Sequence, residues 1–139
     1  MPAEITGGDE FRRSMVAMRA RAVRAAGAAL YQEGQALRTE SLRIVPVDLG
    51  ALRSSAIVSN PEATGSVVTV TVGYGGPSAP YAIFVHEIPP PPGRSPSGRS
   101  ARHNPPTQWK YLEQPARERA GGMQGRLAAR MRTELERPA

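Results

Sequence analysis

A single long helical pattern near the start of the chain constrains the fold more than any other feature. Over residues 9–44, apolar side chains recur at steps of three and four, the spacing of one face of an α-helix. The members of this stripe are Phe11, Met15, Met18, Ala22, Ala25, Ala29 and Leu37. The stripe is narrow and rich in alanine, which buries little area. We therefore expect the helix, with Asp9 as its N-cap, to pack between subunits as well as within one.

Length and composition limit what this helix can pack against. The chain has 139 residues, which predicts one domain spanning residues 1–139. Aromatic residues make up only 5% of it, so the core is small and we expect partner surfaces to complete a marginal monomer. The absence of cysteine excludes disulfides and cysteine-based metal sites.

The charge and the N-terminal sequence bear on location and partners. No secretory signal pattern and no long apolar segment is present, so we expect a soluble protein made in a cytoplasm, without a membrane partner. The formal net charge is +6, and Lys110 is the only lysine among eighteen basic residues. Acidic partners, DNA among them, fit this charge. The arginine excess equally fits the codon usage of a GC-rich genome.

After the first helix the pattern predicts strands. Pro46 ends the helix, and residues 48–50 predict a turn in which Gly50 takes a positive φ. We expect strands over residues 52–59, 66–73 and 81–87, the first two joined as a hairpin through residues 60–65. The fold class is therefore α+β, with a three- to four-stranded, mostly antiparallel sheet.

Residues 88–106 form a proline-rich arm. They include seven prolines and three arginines but no acid, a composition that favours an extended segment reaching another subunit. A C-terminal helix then begins near Pro115. Its apolar stripe comprises Ala116, Ala120, Met123, Leu127, Met131 and Leu135, and its arginines lie off that stripe. Glycines at 121, 122 and 125 predict a kink or a close backbone approach.

Few residues are placed for catalysis. His86 and Glu87 are the best pair, but neighbours on a strand point to opposite faces and cannot act on one group. Two histidines seventeen positions apart, with scattered carboxylates, make a poor metal-ligand pattern. We expect no enzyme activity and no cofactor, and a structural or interface role for His86.

The arm supports an alternative function. Arg94, Arg99, Arg102 and His103 lie close in sequence to Trp109, so phosphate contacts and base stacking could combine there. A small basic DNA-binding protein is therefore the alternative. The same arginines could instead pair with acidic groups on a neighbouring subunit.

Three short motifs resemble a known family. They are Pro46-Val47-Asp48-Leu49-Gly50-Ala51-Leu52-Arg53-Ser54-Ser55, Tyr81-Ala82-Ile83-Phe84-Val85-His86-Glu87 and Lys110-Tyr111-Leu112-Glu113-Gln114-Pro115. In order and spacing they resemble the neck or tail-completion family of long-tailed, lambda-like bacteriophages, also described as minor capsid or head–tail connector proteins. Leu49 stands where the family has threonine, and Ile88 with a proline run replaces the glycine that follows the strand glutamate.

The resemblance implies a virion structural protein at the head–tail junction, assembled in the bacterial host cytoplasm. The positions that match the family motifs, expected to serve structure, are Pro46, Asp48, Gly50, Leu52, Arg53, Tyr81, Ala82, Glu87, Leu112 and Pro115. The implied partners are copies of the chain in a ring, of six or else twelve, with neighbouring head-completion and tail-tube or tail-terminator proteins. Phage DNA in the lumen is a further candidate partner.

Overall fold

The computed structural model describes residues 6–46, 50–89 and 109–138. Its first element is helix α1, Gly8–Ile44, whose 37 residues span about 55 Å. The helix starts one residue before the expected N-cap: Gly7 caps it with a φ of 95°, and Asp9 lies in the first turn, where its charge favours the helix dipole. It ends as predicted, because Val45 before Pro46 is extended.

The strands form one interrupted hairpin. Strand β1, Ile57–Val58, pairs antiparallel with β4, Val72–Gly73, and β2, Glu62–Thr64, pairs antiparallel with β3, Val67–Thr69. The pairing register of β1 with β4 differs by one residue from that of β2 with β3. The predicted strand over 66–73 therefore forms two short strands, β3 and β4. The tight turn lies at Gly65, which has a φ of 62°, and β2 occupies part of the expected linker.

Two glycines let the hairpin approach α1 closely. A Cβ on Gly34 would lie 3.0–3.3 Å from methyl carbons of Val58, Val70 and Val72. A Cβ on Gly27 would lie 3.1 Å from Cβ of Pro61. Glycine at these two positions therefore lowers the stability of the isolated helix, but it leaves room for the hairpin to pack against the helix backbone.

Two predicted strand segments are helical instead. Residues 51–54 form the short helix α2, Ala51–Ser54, and only the later part of the predicted strand over 52–59 is β1. The predicted strand over 81–87 is wrong, because helix α3, Ala82–Glu87, lies there. The buried residues of α3 are Ala82 and Val85, which are three positions apart, as on one face of a helix. A strand would instead bury every second residue.

The C-terminal helix is broken at the predicted kink. Helix α4, Glu113–Ala120, begins two residues before Pro115, and α5, Met123–Glu136, follows. Gly122 has a φ of 74° at the break. Arg126 donates from Nη1 to the carbonyl oxygen of Gly121 at 3.1 Å, which satisfies a backbone acceptor left free where α4 ends.

The described elements confirm the α+β class. α5 runs beside α1, and the Arg21 guanidinium near the start of α1 donates to the carbonyl oxygen of Leu135 near the end of α5 at 2.7 Å. The strands form two two-stranded antiparallel sheets. In the described residues, each helix is too short or too polar to cross a bilayer.

Candidate functional site

The three motif segments meet in one apolar cluster at the C-terminal end of α1. Its buried members are Val45, Leu52, Ala79, Ala82, Val85 and Tyr111, with Leu42, Ile44, Tyr74 and Leu112 packed against them. Leu52, Ala82 and Tyr111 each come from a different motif. The motifs therefore supply the packing that fixes α2, α3 and the start of α4 around the last turn of α1.

Tyr111 holds this cluster together through polar bonds as well. Its side chain is 1% exposed, and its hydroxyl donates to the carbonyl oxygen of Ala82 at 2.9 Å. Ser41, fully buried in α1, donates to the carbonyl oxygen of Tyr111 at 2.6 Å. Burial raises the pKa of Tyr111 to about 12, so the hydroxyl stays protonated and remains a donor.

The remaining motif positions differ in burial and conformation. Pro46 and Pro115 are buried, Gly50 has the predicted positive φ at 76°, and Arg53 is exposed. Tyr81 is 38% exposed beside α3. Asp48 lies outside the described residues.

His86 and Glu87 are brought together, contrary to the prediction. In helix α3 the Nδ1 atom of His86 lies 2.6 Å from Oε1 of Glu87. Lys110 binds Glu87 at 2.5 Å and Glu113 at 2.6 Å, and Arg117 binds Glu113 at 2.5 Å. The helix, in place of the predicted strand, is the reason that neighbouring side chains converge.

The cluster of His86, Glu87 and Glu113 has the residue types of a metal site. One ligand atom from each residue lies within 4.8 Å of the other two. However, the backbone N–H of Glu113 donates to Nε2 of His86 at 3.2 Å, so Nδ1 carries the proton and donates to Glu87. A cation would have to displace Lys110 and turn the imidazole.

The negative charges of Glu87 and Glu113 are partly balanced by a basic side chain of the same protein, Lys110. Hydrogen bonds from Lys110 lower the pKa of Glu87 and of Glu113, and the same two carboxylates raise the pKa of Lys110. The His86 ring also packs edge-on against Tyr111, with ring centroids 5.0 Å apart. The arrangement therefore ties α3 to the start of α4.

A second charged cluster, centred on Glu33, was not predicted. The Glu33 side chain is 6% exposed and binds Arg119 at 2.9 Å, Arg126 at 2.7 Å and Arg130 at 2.5 Å. Arg119 also binds Glu40. We call these five residues the Glu33 cluster; it clamps α1 to α4 and α5.

Glu33 remains ionised because its partners outweigh its burial. Burial acts to raise the pKa of Glu33, but hydrogen bonds from Arg126, Arg119 and Arg130 lower it to about 2. A sequence signal existed: Glu33 follows Ala29 by four residues, so an acid interrupts the buried side of the helix. Its arginine partners, 86 to 97 positions away, could not be assigned.

The beginning of α1 is exposed on all sides among the described residues. Every described residue from 6 to 21 is exposed, and α5 ends at Glu136, beside Arg21. Here the apolar stripe continues as Phe11 at 68%, Met15 at 48% and Met18 at 62% exposure. This part of the stripe is thus about half exposed or more, whereas Ala25 and Ala29 further along are buried.

Of the candidate interface residues, only Trp109 can be placed. It is 38% exposed, and Nζ of Lys110 lies 5.7 Å from the centroid of its ring. Arg94, Arg99, Arg102 and His103 lie outside the described residues, as does the arm from residue 90 onward. No protein-family model matches the chain, and no curated protein or solved structure matches it.

Proposed function

We propose that the chain is a structural subunit of a tailed-phage virion, forming a ring at the head–tail junction that joins or seals head and tail. One observation carries the proposal. The first four turns of α1 present an apolar stripe of large side chains that the described part of the chain leaves uncovered. Exposed apolar surface of this kind is typical of a protein–protein contact.

The packing of the motifs gives independent support. Leu52, Ala82 and Tyr111, one from each motif that resembles the neck family, pack in one cluster. Segments far apart in sequence are thus joined in one apolar core. The resemblance adds the expectation of six copies, or twelve, between head-completion and tail-tube or tail-terminator proteins.

A non-catalytic role is part of the proposal. The best-placed titratable group, His86, has both ring nitrogens engaged, one with Glu87 and one with the backbone of Glu113. General acid–base catalysis needs such a group to face a substrate. Here its bonds and its ring packing serve to join two helices.

Genetic deletion tests the proposal. The coding sequence would be removed from the phage or prophage that carries it, and particles would be imaged by negative-stain electron microscopy. We expect separate heads and tails, and joined particles again when the wild-type chain is supplied in trans. Joined, infectious particles without the chain would contradict a junction role.

One observation favours DNA binding as a second candidate. Residues 11–32 include five arginines and no acidic residue, and the first part of this stretch is exposed. A basic helix of this kind can neutralise phosphates. Binding to duplex DNA that falls steeply with salt, in the absence of other virion proteins, would favour this function over the ring.

A further inference from the structure

Two apolar surfaces lie at opposite ends of the molecule. The first, which we call the α1 stripe, consists of Phe11, Met15 and Met18 on the exposed start of α1. The second, which we call the α3 patch, consists of Tyr81, Ile83, Phe84 and Ile88, all between 38% and 66% exposed. Both consist of large side chains of the kind that anchor interfaces.

The two surfaces cannot meet within one chain. The buried face of α3 packs in the same cluster as Leu42, in the last turns of α1. Phe11 precedes Leu42 by 31 positions in that helix, a separation of roughly 45 Å at 1.5 Å per residue. An uninterrupted helix holds the surfaces apart, so each needs a second molecule.

Charge decides which surface of a second molecule fits the α1 stripe. Arg12 and Arg19 flank the stripe on one side and Arg21 on the other, and no acid occurs between Glu10 and Glu33. Residues 9–24 carry five arginines against the two acids Asp9 and Glu10, so two α1 stripes laid together would bring two segments of net positive charge side by side, which like-charge repulsion disfavours.

The α3 patch imposes no such repulsion. In the part of the chain that the structure describes, the charged groups beside it include Glu87, Glu113, Lys110 and Arg117, whose formal charges cancel in the ion pairs described above. Glu87 is half exposed at the edge of the patch and accepts hydrogen bonds. An arginine-flanked apolar helix can therefore lie on it without meeting a second surface of net positive charge.

We infer that the α1 stripe of one copy docks on the α3 patch of a second copy. The contact is head-to-tail, because it joins two different surfaces at opposite ends of the chain. Such heterologous contacts repeat, and they close into a ring when the rotation permits. The inference deepens the proposed function, and rests on it for the biological use of the ring.

Cross-linking between full-length variants tests the contact directly. The chain has no cysteine, so introduced thiols are unique. Met18→Cys and Ile83→Cys would be mixed and treated with a short bis-maleimide, and products identified by mass. Ala20→Cys, exposed on the opposite face of α1, is the matched control for Met18→Cys.

We expect the Met18→Cys and Ile83→Cys mixture to give about tenfold more mixed dimer than the Ala20→Cys and Ile83→Cys mixture, equivalent to about 1.4 kcal/mol of preferential binding. Adding Phe84→Gln to the Ile83→Cys chain should remove the excess. Self-linked Met18→Cys in greater yield than the mixed dimer would overturn the inference in favour of paired α1 stripes. Yields equal to the Ala20→Cys control would also overturn it.

The deletion experiment separates this contact from the proposed function. If deletion yields separate heads and tails but the cross-link does not form, the proposed junction role is supported and the proposed contact is wrong. If the cross-link forms but particles assemble without the chain, the contact stands and the junction role is wrong.

Discussion

Arg119 holds Glu33 with two parallel bonds: its Nε donates to Oε1 at 2.9 Å and its Nη2 donates to Oε2 at 3.0 Å. This bidentate geometry joins α4 to the middle of α1 across 86 positions of sequence. Arg126 and Arg130 bind the same carboxylate from α5. One acid therefore anchors both C-terminal helices.

Replacing Glu33 by glutamine should destabilise the protein. The change leaves three guanidinium groups around a neutral amide, and removing one partner of a fully buried ion pair costs roughly 3–5 kcal/mol. We expect about 2 kcal/mol in urea unfolding, because Arg126 and Arg130 are 34% and 27% exposed and solvent screens them. Glu40→Gln is the matched control, since Glu40 is 38% exposed and binds Arg119 alone of the three, and it should cost less than half as much. Equal losses from both variants would contradict the central place of Glu33.

Acid should weaken the same clamp. The pKa of Glu33 is about 2 in the fold and 4.5 as its ordinary value, so its contribution is fully present above about pH 5 and is lost as pH falls toward 2. The difference in unfolding free energy between wild type and Glu33→Gln should therefore shrink from pH 6 to pH 2. Urea titrations at pH 6, 4, 3 and 2 measure this difference. A difference in unfolding free energy that stays constant over that range would show that the ionised form of Glu33 does not stabilise the fold.

Gly50 should be required for its backbone conformation alone. Its φ is 76°, and a Cβ added there would meet no atom within 4 Å, so Gly50→Ala introduces strain without a clash. We expect a loss of about 1–3 kcal/mol in thermal or urea unfolding. Gly73→Ala is the control, because that position also has open space but no positive φ, and it should be neutral or slightly stabilising. An unfolding free energy that Gly50→Ala leaves unchanged would contradict a turn that requires a positive φ at this position.

The helices of this fold follow from local sequence, whereas its short elements do not. α1 was predicted because a stripe at three- and four-residue steps persists from Phe11 to Ala29, about five turns of helix. Residues 81–87 alternate in the manner of a strand, yet Ala82 and Val85 are the buried pair and the segment is helical. Over so few residues both periods fit, and packing against Tyr111 decides between them.

The charged clusters depend on contacts that sequence spacing does not encode. Glu33 lies on the predicted helix, but its arginines come from two helices whose break at Gly122 sets their positions. His86 and Glu87 were separated by the strand prediction, so their meeting with Lys110 was also missed. Motif positions such as Gly50 could be predicted because the turn constrains them locally.

His86 should matter for folding and assembly only. His86→Ala removes the acceptor for the Glu113 backbone N–H and the ring contact with Tyr111, so the melting temperature should fall. Glu87→Gln keeps the side-chain shape and should lower it less. Calorimetry on both variants measures the effect, beside assays of ester and nucleic-acid hydrolysis. A reproducible hydrolytic activity abolished by His86→Ala would refute the non-catalytic role.

The buried and the exposed parts of the apolar face of α1 should respond differently to a polar side chain. Ala29 is fully buried, so Ala29→Gln forces a larger amide into a packed interior and should cost at least roughly 2 kcal/mol in urea unfolding. Met18 continues the same stripe eleven positions earlier but is 62% exposed, so Met18→Gln should change stability by less than about 0.5 kcal/mol. Glutamine is a good helix former, which keeps α1 intact in both variants.

Met18→Gln should nevertheless fail to restore joined particles in the deletion background, because the apolar side chain of Met18 serves a contact with another molecule. A stable Met18→Gln protein that assembles as well as wild type would show that the exposed half of the stripe has no partner.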